Sequence, residues 1–413
     1  MKTINGGVCA PRGFFAGGIR CGIKASAAKR DLGMIYSREP CVTAAMFTAN
    51  KVKAASVLVS AEHIAGGRVR GVIANSGNAN ACTGEAGLAA ARRMADLAAA
   101  KLSALCNLAV PCDEVAVAST GVIGVPFPIE AVESGMDALA ASLRDDAAGH
   151  DAALEAIMTT DTRKKDAAVE LDLGGRAVRL GGMTKGSGMV HPNMATMLCF
   201  ITTDAAISRE RLDRALRQSV RRSFNRLTVD GDTSTNDMVM VMANALAGNA
   251  PIVGAGPEFD AFAAALEALC VKLARAMARD GEGATRLVTV ALTGAANEAD
   301  AEALAKSVAS SNLVKAACFG ADANWGRVLC ALGYAGVDLD PGAVDLRFAS
   351  AAGEILVCRR GAAVPFSEED AKRILSMEEI EIRINVGTGV GAAAAWGCDL
   401  TYDYVKINGD YRS

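Results

Sequence analysis

Apolar residues recur along the chain with two periods, three to four and two. Over residues 85–105, EAGLAAARRMADLAAAKLSAL, the positions Leu88, Ala91, Ala95, Ala98, Leu102 and Leu105 share one face, which predicts an amphipathic helix. The stretch 208–227 repeats the pattern with Leu212, Leu216, Val220 and Phe224, behind a Ser208 able to cap it. A third helix is predicted over 257–279, with Pro257 at its start, Phe259, Phe262, Leu266, Leu269 and Leu273 facing inward, and Gly281 just past its end. Short β-branched runs predict strands at SVLV, RGVIA, EVAVAS, MLCFITT, MVMVM, LVTVAL and EIRINV, and VELDLGGRAVRL reads as a hairpin around Gly-Gly. The class is α/β or α+β. Beyond residue 285 the texture changes: ADAEALAKSVASSNLVKAA predicts two short helices, followed by strands to the C-terminus, so a boundary is placed there between segments 1–284 and 285–413.

Composition narrows this picture. A chain of 413 residues, 51% hydrophobic and 4% aromatic, is long enough for one large and one smaller domain, each with a buried core. The net charge is −3 and charges of both signs are interspersed, which leaves no basic footprint for nucleic acid or an anionic membrane. MKTINGGVCAPRG lacks the apolar core of a signal peptide, and the longest uncharged stretch, MVMVMANALAGNAPIVGAGP, is broken by Asn, Pro and Gly, so no membrane span is expected. Twelve cysteines are scattered with no C-x-x-C pair. They spell out neither a zinc site nor a disulfide framework and read as reduced, mostly core thiols of a cytoplasmic protein.

Candidate chemistry is constrained by histidine economy. Only His63, His150 and His191 are available, so a serine or cysteine nucleophile paired with histidine has few ways to be built. His63 and His150 lie in polar surroundings and read as solvated or capping residues; His191, before Pro192, reads as a loop brace. The stretch 185–204, KGSGMVHPNMATMLCFITTD, instead leads through glycines and a proline to Thr196, immediately before a strand. A threonine acts without histidine once it becomes the first residue of a new chain, because its α-amine, with an ordinary pKa of about 7.7–8.0, can serve its own hydroxyl as base. Small Ala195, rigid Pro192 and flexible Gly186 and Gly188 suit a turn in which Thr196 attacks the Ala195 carbonyl. On pattern alone, Thr196 also fits an ordinary strand start.

The same stretch resembles the self-cleavage motif of the bifunctional ornithine acetyltransferase/glutamate N-acetyltransferase family of arginine biosynthesis. The likeness extends through GFFAGGIRCGIK, IANSGNANACTGEAG, ASTGVIG, IMTTDT, NRLTVDGDTSTND, RDGEGATR, GADANWGRV and the tail AWGCDLTYDYVKINGDYRS. It implies a layered αββα-type catalytic domain spanning the cleavage point, and a smaller C-terminal α/β domain completing the substrate site. Cleavage between Ala195 and Thr196 is expected to give an α-chain of 1–195 and a β-chain from 196, assembled as two of each. Thr196 is then the acetyl acceptor, and Thr120 and Gly121 are the oxyanion-hole donors. Substrate contacts are carried to Thr160, with Thr159 and Thr162 as alternatives in register, and to Lys185, Thr196, Glu282, Asn408 and Ser413. Two departures are Ala323, where the family commonly has proline, and Ser413, where threonine is common.

The implied reaction is ping-pong. N-acetylornithine acetylates Thr196, ornithine leaves, and the glutamate amine takes the acetyl group. No metal or resident cofactor is implied; bifunctional members also accept acetyl-CoA as donor, and no residue here separates the two kinds. Rival readings are a self-cleaving aminopeptidase or amidase of the related fold, and a non-enzymatic amino-acid binder. GTGVGA at 387–392 matches a dinucleotide fingerprint, but the required helix would run through AAAAWGCDLTYDY and break at Gly397, so a nucleotide is not expected.

Overall fold

The computed structural model describes residues 1–191 and 197–410. The first part of the chain forms β1 (Lys2–Ile4), β2 (Phe14–Ile19), β3 (Leu32–Phe47), α1 (Ala55–Ile64), β4 (Arg68–Asn78), α2 (Gly84–Cys106), β5 (Val115–Val122), α3 (Ile129–Ser142) and α4 (Ala147–Ile157). The hairpin β6 (Lys165–Leu173) and β7 (Arg176–Lys185) follows, then β8 (Leu198–Thr203), α5 (Arg209–Arg222), β9 (Met238–Ala243) and α6 (Pro257–Arg279). The remainder is β10 (Leu287–Ala295), α7 (Glu298–Ser310), α8 (Asn312–Phe319), α9 (Trp325–Gly333), β11 (Asp345–Ser350), β12 (Gly353–Arg359), β13 (Ala362–Ala363), α10 (Glu368–Leu375), β14 (Glu379–Asn385), β15 (Gly391–Cys398) and α11 (Tyr402–Asp410).

Nine strands form one sheet in the order β1-β6-β7-β8-β9-β3-β4-β5, with β2 also on β3. The long β3 is the fold's hinge. Its first half pairs with β2 and β4, its second half pairs with β9, and the register with β4 slips between Tyr36 and Cys41. The two halves of the sheet face each other across a shared core. Strand periodicity assigns the layers: Met238, Met240 and Met242 of β9 join Val72, Ala74, Ala116 and Ala118 between the halves, whereas Val239 and Val241 turn outward onto α5 and α6. On the other side, Ile73, Val115 and Val117 turn outward onto α2 and α3. Helices thus cover both outer faces, the αββα layering that the resemblance implied. Six strands form a second sheet, β13-β12-β11-β14-β10-β15, with its own core against α7, α9 and α10.

The helix periodicities hold. Ala91, Ala95, Ala98 and Leu102 are fully buried on α2, although Leu105 is exposed; Ser208 caps α5; Pro257 starts α6. The expected helix over 208–227 stops at Arg222 and continues as a 3₁₀ turn through Phe224–Arg226. SVLV, expected as a strand, lies within α1. Three apolar residues in a row do not distinguish the two periods, and here Ser60 fixes the helix by exchanging hydrogen bonds with the Val117 backbone N–H and carbonyl at 2.7 and 2.6 Å. The glycines of GTGVGA lead into β15, an extended strand, so the helix a dinucleotide site requires is absent there.

His63 and His150, expected to be solvated or capping residues, are instead buried. The His63 Nδ1 lies 2.7 Å from the Val115 carbonyl, and the His150 Nδ1 accepts the Val8 N–H at 3.3 Å. Seven of the twelve cysteines are buried, and all are free thiols. Among the described residues no helix is long and apolar enough to cross a membrane.

Candidate active site

One cavity of about 160 Å³ lies where β5, β7, β8 and the turn after α6 converge. Near its end, strand β5 brings Thr120 and Gly121 there, beside β4 in parallel register with Gly77 opposite Gly121. Gly121 has φ +132, and a Cβ at this position would stand 2.4 Å from the Gly77 carbonyl carbon, so only glycine brings the two backbones together. The β5 end is further pinned by Asn236, whose amide donates to the Ala79 and Ser119 carbonyls at 2.6 and 2.8 Å.

Lys185 closes β7 and reaches the same place. Its Nζ donates to the Thr120 hydroxyl at 3.2 Å. That contact occupies the acceptor side of Thr120 Oγ1 and leaves its proton free for another acceptor. Burial pushes the Lys185 ammonium below the ordinary lysine range, and the Asp161 carboxylate offsets part of this.

The loop before β6 carries the TTDT residues. Thr159 and Thr160 line the cavity, and the Thr160 hydroxyl shares a 2.8 Å hydrogen bond with Ser187. Thr162 turns away: its hydroxyl and N–H are taken by the Asp280 carboxylate, so it is not the cavity threonine. The Asp161 side chain is wholly buried and accepts the Gly186 N–H at 2.8 Å. Lys165 bridges Asp161 and Asp280 at 2.5 Å each. Burial would raise the Asp161 carboxyl, but Lys185 and Lys165 together hold it well below the usual carboxylate range.

Glu282 enters from the turn after α6, with its N–H on the Ser187 carbonyl at 2.9 Å. It fits only because residue 188 is glycine, since a Cβ there would stand 2.3 Å from the carboxyl. Asn408 of α11 donates to Glu282 Oε2 at 2.8 Å, which ties the C-terminal helix to the cavity. Asp230 accepts the N–H groups of Met189 and Val190 at 2.6 and 2.8 Å, holding Met189 at φ +55, a left-handed conformation uncommon for such a residue.

Six residues named from sequence, Thr120, Gly121, Thr160, Lys185, Glu282 and Asn408, therefore line one cavity, together with Met197 and Leu198 at the start of β8. Ala195, Thr196 and Ser413 lie outside the described residues. His191 sits at the edge of the described chain with its Nδ1 3.0 Å from the Thr228 hydroxyl, and burial, helped by the Lys306 charge, pushes its pKa down to about 4. It is neutral near pH 7, in keeping with a loop brace. Sequence reasoning passed over Asp161, Lys165, Asp280, Asn236 and Asp237. Their motifs, TTDT, RDGEG and STND, were visible, but no spacing rule says that such distant carboxylates share one lysine.

The model of the ArgJ family matches residues 15–413. The arginine biosynthesis bifunctional protein ArgJ of Symbiobacterium thermophilum is 52% identical over the whole of both chains, and that of Caldanaerobacter subterraneus is 47% identical over the whole of both. Among solved structures, the ornithine acetyltransferase of Mycobacterium tuberculosis complexed with ornithine is 39% identical, covering 48% of this chain and 99% of that one, with a TM-score of 0.43. The chain belongs to the ArgJ family.

Proposed function

We propose that this protein moves an acetyl group from N2-acetylornithine to glutamate in arginine biosynthesis, through an acetyl ester on Thr196. The observation that carries the reading is convergence. Met197, the neighbour of Thr196 in the chain, lines the same cavity as Thr120, Gly121, Lys185 and Glu282. In this reading residues 1–284 form the catalytic domain, and 285–413 form a second domain that reaches back through Asn408.

The reaction follows from what each group can do. Thr196 splits from Ala195, and its new α-amine draws the proton from its own hydroxyl as Oγ attacks the acetamide carbonyl. Negative charge then grows on the carbonyl oxygen, where the Thr120 O–H and the Gly121 N–H serve as donors. With its acceptor side engaged by Lys185, Thr120 has its proton available for this oxygen. The amine returns the proton to the departing ornithine nitrogen. The glutamate amine next attacks the acetyl ester by the reverse steps.

Lys185 supplies positive charge for an α-carboxylate, Glu282 receives the side-chain ammonium of ornithine, and Thr160, Asn408 and Ser413 complete the polar lining. Acetyl-CoA is an alternative donor for the first half-reaction, and no resident cofactor is required. Two α- and two β-chains form the active particle, in the cytoplasm.

Thr196→Ala tests the core of the reading. Denaturing gels of the wild type should show two fragments of similar size and those of the variant one intact chain, with acetyl transfer lost. An unsplit wild-type chain that transfers acetyl groups would sink it. Hydrolysis of aminoacyl amides by the wild type, without transfer to glutamate, would instead favour an aminopeptidase.

A further inference from the structure

The motif GFFAGGIRCGIK supplies none of the residues that line the cavity, yet its last residue reaches the cavity wall from behind. Lys24 lies in the turn between β2 and β3, which is shaped by the buried Asp31: that carboxylate accepts the N–H groups of Cys21, Gly22 and Lys24 at 2.6, 3.0 and 3.0 Å. The Lys24 stem lies on Gly77, where a Cβ would stand 3.0 Å from its Cγ, and Gly77 is the residue opposite Gly121. From there the Nζ donates to the Arg30 and Met158 carbonyls at 2.7 Å each. The Met158 carbonyl belongs to the same peptide unit as the Thr159 N–H, which donates to Asp161 Oδ2 at 2.9 Å. A cation on its oxygen and a carboxylate on its N–H therefore fix this peptide plane from both sides, and hydrogen bonds with a charged partner are about twice as strong as neutral ones. The plane starts the loop that carries Thr159 and Thr160 into the cavity.

We propose that Lys24 is a positioning residue for substrate binding: anchored on Gly77, its ammonium holds the Met158–Thr159 peptide and so sets Thr159 and Thr160 in the cavity. The proposal rests on the reading of this cavity as the N-acetylornithine site. An apolar stem of the same length would cover Gly77 equally well, so the two carbonyls are what call for a cation. That cation titrates within reach of neutral pH. Burial pushes the Lys24 ammonium down to about 8; the Asp31 carboxylate opposes the fall, the Lys29 and Lys185 charges add to it, and Asp161 opposes it. On α4, the nearby Glu155 is engaged by Arg30 and Lys164. The folded group is charged below about pH 8 and loses its proton as pH rises through that value. The neutral amine keeps its N–H donors but not the charge that strengthens them, so the hold on the loop weakens on the alkaline side.

The test compares acetyl transfer from N-acetylornithine to glutamate by the wild type, Lys24→Met and Lys24→Arg across the neutral and alkaline range. Lys24→Met keeps the stem and removes the ammonium; at neutral pH its KM for N-acetylornithine should rise about tenfold or more, as expected for a lost hydrogen bond from a charged donor, with kcat little changed. The wild-type kcat/KM should fall as pH rises through about 8, and Lys24→Met should lack this fall. Lys24→Arg, whose guanidinium stays charged, should keep a low KM and carry the fall to higher pH. Titrations of the substrates and of the Thr196 α-amine are common to all three proteins, so the difference between their profiles reports Lys24. Thermal melting shows whether each variant is folded. A folded Lys24→Met with the wild-type KM and profile overturns the proposal, and so does a loss confined to kcat. Where Lys24→Met does not fold, Lys24→Arg decides: an alkaline fall at the wild-type pH overturns it. A wild type that transfers nothing from N-acetylornithine at any pH fails the substrate reading and this proposal together, whereas an active wild type beside an unaffected Lys24→Met fails the proposal alone.

Discussion

A single missing side chain shapes the substrate end of the cavity. Gly188 stands where a Cβ would meet the Glu282 carboxyl at 2.3 Å, and Asn408 holds the same carboxyl from the other side at 2.8 Å. The clash in Gly188→Ala falls on the far end of a flexible side chain, so Glu282 can swing aside without disturbing the backbone. Stability should therefore change by less than about 0.5 kcal/mol, as for ordinary surface substitutions. Binding should suffer more. Losing a hydrogen bond between charged partners costs about 1.5–3 kcal/mol, so the KM for N-acetylornithine, or the inhibition constant of ornithine, should rise at least tenfold. Steady-state kinetics beside a thermal melt would check both halves; an unchanged KM would remove Glu282 from substrate contact. Gly188 was legible in the sequence as part of a flexible approach, but not in this role. Its meaning depends on Glu282, which is 94 positions away in sequence and arrives from another turn.

Between elements, the buried lysine Lys165 holds together three parts of the site. It begins β6, pairs with Asp161 of the TTDT loop and with Asp280 at the end of α6, and each contact is 2.5 Å. Its side chain is 1% exposed and those of its partners 0% and 3%, so water screens none of them. Lys165→Met leaves two buried carboxylates short of their cation and should cost about 3–5 kcal/mol. The pH dependence has a definite sign. Asp161 is held below its unfolded value, about 3.9 for aspartate, so its contribution is full above that range and is lost as pH falls through the lower folded value. Melting temperatures from pH 6 down to pH 2 should show the wild type losing stability more steeply in acid than Lys165→Met. The elements joined by this lysine were foreseen from periodicity, and β6, β7 and α6 appear where apolar spacing put them. Helix α1 did not, because SVLV is too short to show a period, and α11 was not foreseen because its partners, Glu282 and Asp230, are supplied only by the folded structure.

On the scale of the whole molecule, the two sheets meet along a band of ion pairs. Arg226, in the 3₁₀ turn after α5, is 8% exposed in its side chain and donates to Glu298 of α7 at 2.8 Å and to Glu302 at 3.4 Å. Arg221 reaches the same two carboxylates at 3.4 and 3.7 Å, but its side chain is 53% exposed. The pair forms an internal comparison, with the same partners but different contact with water. Exposed ion pairs contribute about 0–1 kcal/mol, because solvent and salt screen them. A hydrogen-bonded guanidinium shielded from water contributes about 1.5–3 kcal/mol, and its apolar stem adds packing. Arg226→Ala should therefore lower the unfolding free energy by about 2 kcal/mol and depend little on salt, while Arg221→Ala should fall under about 1 kcal/mol and fade by 0.5 M salt, where the screening length is shorter than in dilute buffer. Denaturant unfolding at two ionic strengths would measure both. Equal, salt-sensitive losses would mean that the junction is held by surface charge alone. The larger loss at Arg226 would instead mean that the first sheet and the helices of the second unfold as a cooperative unit, with the link that carries Glu282 clamped between them.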